Sequence, residues 1–111
     1  HIRPGQPILI TEGEFDAMVA WQVARDIVCP VSIGSAGNAR IDRRWWPRLN
    51  YAPRTLVRMD ADAAGDQAAA NIHAFLGTAR SIHVPQGKDI NDFYLSAGRS
   101  LLRDWLSAAL I

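Results

Sequence analysis

The sequence has one cysteine, one lysine and only two glutamates in 111 residues. Cys29 on its own cannot close an internal disulfide. Its place in the apolar run 27–33 makes it a small buried hydrophobe, in keeping with an intracellular setting. No apolar stretch approaches the roughly 18–20 residues needed to span a bilayer, and the N-terminus lacks the charged-then-apolar layout of a signal peptide. Internal repeats and low-complexity tracts are also missing. The first residue is His1 and not Met, so a segment cut from a longer protein is expected. The charges nearly balance, 12 basic against 11 acidic, and a net charge of +1 makes no case for nucleic acid by itself. A hydrophobic fraction of 49% excludes a disordered chain, and the length suits one domain, spanning 1–111.

The placement of charge is more informative. Lys88 is the single lysine, so the other basic side chains are arginines, several of them crowded into "ARIDRRWWPR". Eight of the eleven acids fall in three patches: Glu12, Glu14 and Asp16; Asp60, Asp62 and Asp66; Asp89 and Asp92. Strand-like and helix-like stretches alternate around these patches. Strands are expected over 7–11, 28–34, 55–60 and 81–85. Helices are expected from Glu14 to about Arg25, around 40–49, from Ala63 to Leu76, from about Asp89 to Ala97, and over "SLLRDWLSAAL". Apolar spacing assigns an inner face of Phe15, Met18, Val19 and Val23 to the first helix. It assigns Ala68, Ile72, Phe75 and Leu76 to the third, and Leu101, Leu102, Trp105, Leu106, Ala109 and Leu110 to the last. Alternation of this kind implies an α/β fold: a four-stranded, mainly parallel sheet with helices on both faces. Right-handed crossovers favour the strand order 2-1-3-4, with the ligand crevice beyond the carboxyl ends of the strands.

That order gathers the acids. Glu12 would end strand 1, with Asp60 and Asp62 at the end of strand 3, about 4.8 Å away. Asp16 would lie one helical turn past Glu12, and Asp89 would follow strand 4 on the same edge. Carboxylates this close repel unless a cation stands among them, and hard oxygen donors without cysteine or paired histidine suit Mg²⁺ or Mn²⁺ better than zinc. His73 and His83, inside a helix and a strand, are not placed to join. Each acid also has a plainer reading. Asp62 reads equally as a turn former or helix N-cap. Acids in a first turn favour the helix dipole, which accounts for Glu14 and less well for Asp16, while Asp66 and Asp92 read as surface acids. Only a shared metal site accounts for Glu12, Asp60, Asp62 and Asp89 together.

"ILITEGEFDA", "VRMDADAAG" and "GKDIND", in that order and spacing, resemble the Toprim domain, a Rossmann-type sandwich, across nearly the whole chain. The form of these elements resembles the DnaG-type and phage or plasmid primase branch. The resemblance implies a DNA primase: nucleotidyl transfer that builds RNA primers from ribonucleotides on single-stranded DNA, with two Mg²⁺ or Mn²⁺ ions about 3.5–4 Å apart. It implies Glu12 as the general acid/base or metal-organising residue, Asp60 and Asp62 as metal ligands, and Asp16 and Asp89 as further members of the metal site. Lys88 would counter a phosphate charge from the rim. Asn91 stands where some primases carry aspartate, and Gly34 and Gly37 lie in "SIGSAGNA", which resembles the small-residue turn bordering the primase site. A cytoplasmic, nucleoid-associated setting follows, with no membrane and a replicative helicase as a partner, fused or separate. An isolated domain of this size is expected to bind metal but prime little. Within the same fold the rivals are a nuclease or topoisomerase module that cleaves DNA, and a non-catalytic DNA-binding recombination mediator.

The segment "ARIDRRWWPRLNYAPR" reads either as a nucleic-acid surface, with Arg40 and Arg44 on phosphates, or as a short amphipathic connector with Trp45 or Trp46 in the core. Arg58 falls in an otherwise apolar strand and shares side-chain parity with Asp60.

Overall fold

The computed structural model describes residues 5–33, 46–60 and 62–111. In chain order the elements are β1 (Ile8–Thr11), α1 (Glu14–Ala24), β2 (Cys29–Ser32), α2 (Trp46–Asn50), β3 (Thr55–Arg58), α3 (Ala63–Phe75), β4 (Ala79–Ser81), α4 (Ile90–Ala97) and α5 (Arg99–Ala109). The strands form one sheet in the order β2-β1-β3-β4, and all three pairings are parallel. Both the α/β class and the strand order expected from the sequence are found.

Strands β1 and β3 lie at the centre of the sheet, and every one of their residues is buried. This explains their continuous apolar runs, since helices cover both faces of a parallel sheet. Alternate side chains point to opposite faces. Leu9 and Leu56 enter a core with Ala20, Val23 and Ala24 of α1, Ile90 and Phe93 of α4, and Leu102 and Leu106 of α5. Ile8, Ile10 and Val57 enter a second core with Ala68 and Ile72 of α3 and Leu49 of α2. Pro30 is tolerated inside β2 because that strand is an edge, where a missing N–H breaks no ladder to a further strand. Cys29 is buried in the second core.

Several sequence expectations require correction. β4 comprises Ala79–Ser81, not 81–85. Its register against β3 starts at the Thr55–Ala79 pair, so His83 lies beyond the strand and is exposed. The buried residues of α1 are Asp16, Ala20, Val23 and Ala24, whereas Phe15 (74% exposed) and Met18 (61%) face outward. Small side chains let α1 approach the sheet closely, so its bulkiest residues are left on the outside. Phe75 of α3 and Leu101 of α5 are likewise exposed, at 65% and 55%. Of the helix expected around 40–49, the described part is Trp46–Asn50. Its Leu49 is only 2% exposed, a core position that the sequence reading missed.

Candidate metal and nucleotide site

At the carboxyl edge of the sheet, Glu12 follows β1 and Asp60 follows β3 across the strand pair that matches Thr11 with Arg58. The Asp60 backbone N–H donates to Glu12 Oε1 at 3.3 Å. The two carboxyl groups stand close enough for a protonated Glu12 to donate to Asp60. Burial is the largest influence on Glu12, followed by the hydrogen bond to Asp60 and the charges of Asp60 and Asp62, and its pKa is pushed up to about 7. Burial would raise Asp60 as well, but the contact with Glu12 and the Arg58 guanidinium outweigh it and hold this carboxyl below its usual range. Of the two, Glu12 is therefore the carboxyl that holds its proton to the higher pH.

The chain enters α3 by a tight turn. Asp62 N–H donates to the Asp60 carbonyl at 2.9 Å, and Asp62 Oδ1 caps the helix by accepting from Gly65 N–H at 2.7 Å. A Cβ at Gly65 would lie 1.9 Å from the Asp60 carbonyl oxygen. Glycine is therefore required there by the close approach of backbone to backbone, which accounts for the Asp-x-Asp-x-x-Gly pattern. Asp62 is at once an N-cap and a neighbour of the Glu12–Asp60 pair, with its side chain exposed.

A second set of acids surrounds the start of α4. Asp16 is 4% exposed, and its two oxygens accept from Asn91 N–H at 3.0 Å and Ile90 N–H at 3.2 Å. Burial pushes its carboxyl above the ordinary range, and these two N–H groups offset that only in part. Asp89 Oδ1 caps α4 by accepting from Asp92 N–H at 2.8 Å, and Asp92 Oδ2 accepts from Lys88 N–H at 3.1 Å. Gly87 opens this loop at φ +83°, where a Cβ would also stand 2.9 Å from that of Asp92. Arg58 joins the two sets. Its Nη1 lies 2.8 Å from Asp60 Oδ1 and 3.6 Å from Asp16 Oδ2, and its Nη2 donates to the Lys88 carbonyl.

Among the described residues, no three His, Cys, Asp or Glu side chains form a ready-made metal cluster. Glu12, Asp60 and Asp62 along this edge nonetheless offer donors of one kind, carboxylate oxygens, the chemistry that suits a hard divalent cation. His73 is engaged with Ser81 Oγ at 2.8 Å. Lys88 is exposed at the rim, Asn91 is half-buried at the start of α4, and Glu14 is exposed. Gly34, Gly37, Arg40 and Arg44, together with Trp45, lie outside the described residues.

A family model described as Toprim-like matches residues 9–94. The chain belongs to the Toprim-like family. Toprim domains generally bind divalent metals. No curated protein matches the sequence. Among solved structures, the fold resembles the primase fragment of the bacteriophage T7 primase–helicase protein, with a TM-score of 0.72 at 21% identity, covering 96% of this chain and 46% of that one. The T7 primase domains bound to an RNA/DNA hybrid and dTTP, with the lagging-strand DNA polymerase, give 0.75 at 21% identity, over 100% and 57%. A DNA primase domain from Pseudomonas aeruginosa gives 0.64 at 21% identity, over 95% and 34%. The chain thus spans between about a third and somewhat over half of the length of the primase chains it resembles. No helix among the described residues is long and apolar enough to cross a membrane.

Proposed function

We propose that this Toprim domain, 1–111, is the metal-dependent catalytic part of a DNA primase that joins ribonucleotides into primers on single-stranded DNA. The observation that carries this reading is the meeting of Glu12 and Asp60, through the Asp60 N–H to Glu12 Oε1 bond, beside Asp62 at the carboxyl edge of a Toprim-like sheet. The fold likeness to primase domains of phage and bacterial origin supports it over DNA cleavage or a purely architectural role.

Glu12, Asp60 and Asp62 would hold Mg²⁺ or Mn²⁺. A cation held by them would supply the positive charge needed to activate a primer 3′-hydroxyl and to steady the departing pyrophosphate. Glu12, at the tip of β1 and bonded to the Asp60 N–H, would serve as the general acid/base or the residue that organises the metal. Asp16 and Asp89, whose oxygens accept backbone N–H groups, support the pocket from behind by fixing the start of α4. That anchoring holds Lys88 at the rim, where its ammonium faces an incoming phosphate, with Asn91 beside it. Arg40, Arg44 and the turn containing Gly34 and Gly37 complete our assignment of nucleotide and template contacts. A replicative helicase, fused or separate, is the expected partner, as in the T7 primase–helicase protein, and the cytoplasm the expected setting.

Template-directed ribonucleotide incorporation by the complete parent protein tests this reading. Glu12→Gln is expected to lower synthesis by about 100-fold or more at unchanged fold. Undiminished synthesis by that variant would overturn the assignment.

A further inference from the structure

Helix α1 is amphipathic in the reverse of the usual sense, with small side chains inward and large ones outward. Ala20, Val23 and Ala24 face the core, whereas Phe15, Met18 and Trp21 are each more than half exposed. A contiguous apolar face of this kind marks a surface that another molecule covers.

The face has a definite order. At 3.6 residues per turn, positions 14, 18, 21 and 25 fall within about 60° of arc and form one straight stripe. From the N-terminal end it runs Glu14, Met18, Trp21, Arg25: an acid, two apolar side chains and a base, all exposed. Phe15 and Gln22 border it on one side. The Arg25 guanidinium lies over the Trp21 ring, 4.4 Å from its centroid, which lays the basic end along the stripe. Neither Glu14 nor Arg25 stands in an ion pair among the described residues, and the neighbouring Asp26 is taken up by Arg103.

The stripe is its own complement. A two-fold axis crossing α1 between residues 19 and 20 exchanges position 14 with 25 and position 18 with 21. Antiparallel apposition of two copies therefore sets Glu14 against the partner's Arg25 and Met18 against the partner's Trp21, each contact being made twice. A thioether on an aromatic ring is a favourable pairing. Charge and apolar matching are met in a single register, as an isologous interface requires. Parallel apposition would set each charge against its like.

We propose that the outer face of α1 is a self-association surface, on which a second copy of this chain docks antiparallel about that axis. The N-termini of the two helices, and with them the Glu12 edges, then lie at opposite ends of the pair. One helix face makes a small interface, so the dimer is weak and reversible. The inference is independent of the reaction proposed for the sheet edge.

Sedimentation equilibrium of the chain at low ionic strength, from about 5 μM to 1 mM, tests this. A monomer–dimer equilibrium is expected within that range. Trp21→Glu places a charge in the middle of the apolar contact and should weaken the dimer at least about tenfold. Glu14→Arg alone and Arg25→Glu alone each oppose like charges twice per dimer and should weaken it by a similar factor of about ten. An equimolar mixture of those two variants should recover the affinity of the unaltered chain to within about threefold, because both contacts then join opposite charges. A chain that stays monomeric throughout overturns the proposal and leaves the face to a different partner. A dimer that survives Trp21→Glu, or charge variants that do not recover on mixing, also overturns it. Circular dichroism checks the fold of each variant, and if Trp21→Glu unfolds, the charge variants and their mixture decide.

Discussion

Two arginine–aspartate contacts hold distant parts of this chain together, and they differ in almost every physical respect. Arg103 of α5 meets Asp26, just beyond α1, as a fork: Nη1 to Oδ1 at 2.7 Å and Nη2 to Oδ2 at 2.6 Å. The side chains are 39% and 62% exposed. Arg58 meets Asp16 at 3.6 Å, off the fork geometry and with its Nε unpaired, yet these side chains are 4% and 6% exposed. By hydrogen-bond geometry the surface pair is the better one. By consequence the buried contact dominates, because water replaces a lost partner at the surface and cannot do so inside. Burial, not bond length, decides which contact the fold and the pocket depend on.

The sharpest way to break this contrast is Asp16→Ala. It leaves Arg58 with one carboxylate fewer and strips the Ile90 and Asn91 N–H groups of their acceptor. An expected loss of about 3–5 kcal/mol, read from urea unfolding, follows from two N–H groups left without their acceptor and a buried guanidinium left with Asp60 as its remaining carboxylate. A loss no larger than that of an exposed substitution would show that water reaches this cluster. The next effect is smaller and depends on pH. Glu12 has a pKa raised from 4.5 to about 7, so in the metal-free fold it retains a proton that the unfolded chain has already released. Its contribution to stability is complete below about pH 4.5 and disappears as pH rises through 7, which amounts to about 1–2 kcal/mol once solvent screening is allowed for. Glu12→Gln should flatten that slope between pH 4.5 and 7. An unchanged slope would place the responsible proton elsewhere.

The strand order was legible because alternating strands and helices imply a parallel sheet whose right-handed crossovers leave few topologies, and the order 2-1-3-4 makes β1 and β3, with Glu12 and Asp60 at their ends, neighbours. Asp62 as an N-cap was legible as one of two readings, and the glycine three residues later is its structural counterpart. The inner face of α1 was not legible. Periodicity favours large apolar side chains, whereas this helix packs through Ala20, Val23, Ala24 and the buried Asp16. Nothing local distinguishes an aspartate that accepts two N–H groups of a distant helix from one that merely favours its own helix dipole. The role of Arg58 needed the same long-range knowledge, since its partners come from α1, from the residues after β3 and from the loop before α4. Its parity with Asp60 was the available hint. β4 was misplaced because Ile82 and Val84 look strand-like, yet both pack into the core beyond the strand's end.

The smallest effect belongs to the surface fork. Arg103 holds the Asp26 carboxyl down to about 2, chiefly through the side-chain hydrogen bond. A lowered carboxylate pKa stabilises the fold above the unfolded value of 3.8, and that contribution is lost as pH falls towards 2. Both groups are solvated, so the free energy involved is small and screened by salt. Asp26→Asn should therefore leave the urea midpoint unchanged at neutral pH and high salt, with a difference emerging only at low ionic strength. Arg103 also donates to the Val23 carbonyl at 3.2 Å, a bond that survives this substitution and keeps α5 joined to α1. If Asp26→Asn proved as damaging as Asp16→Ala, exposure could not be what separates the two arginines, and the short contacts of the fork would have to carry the stability instead.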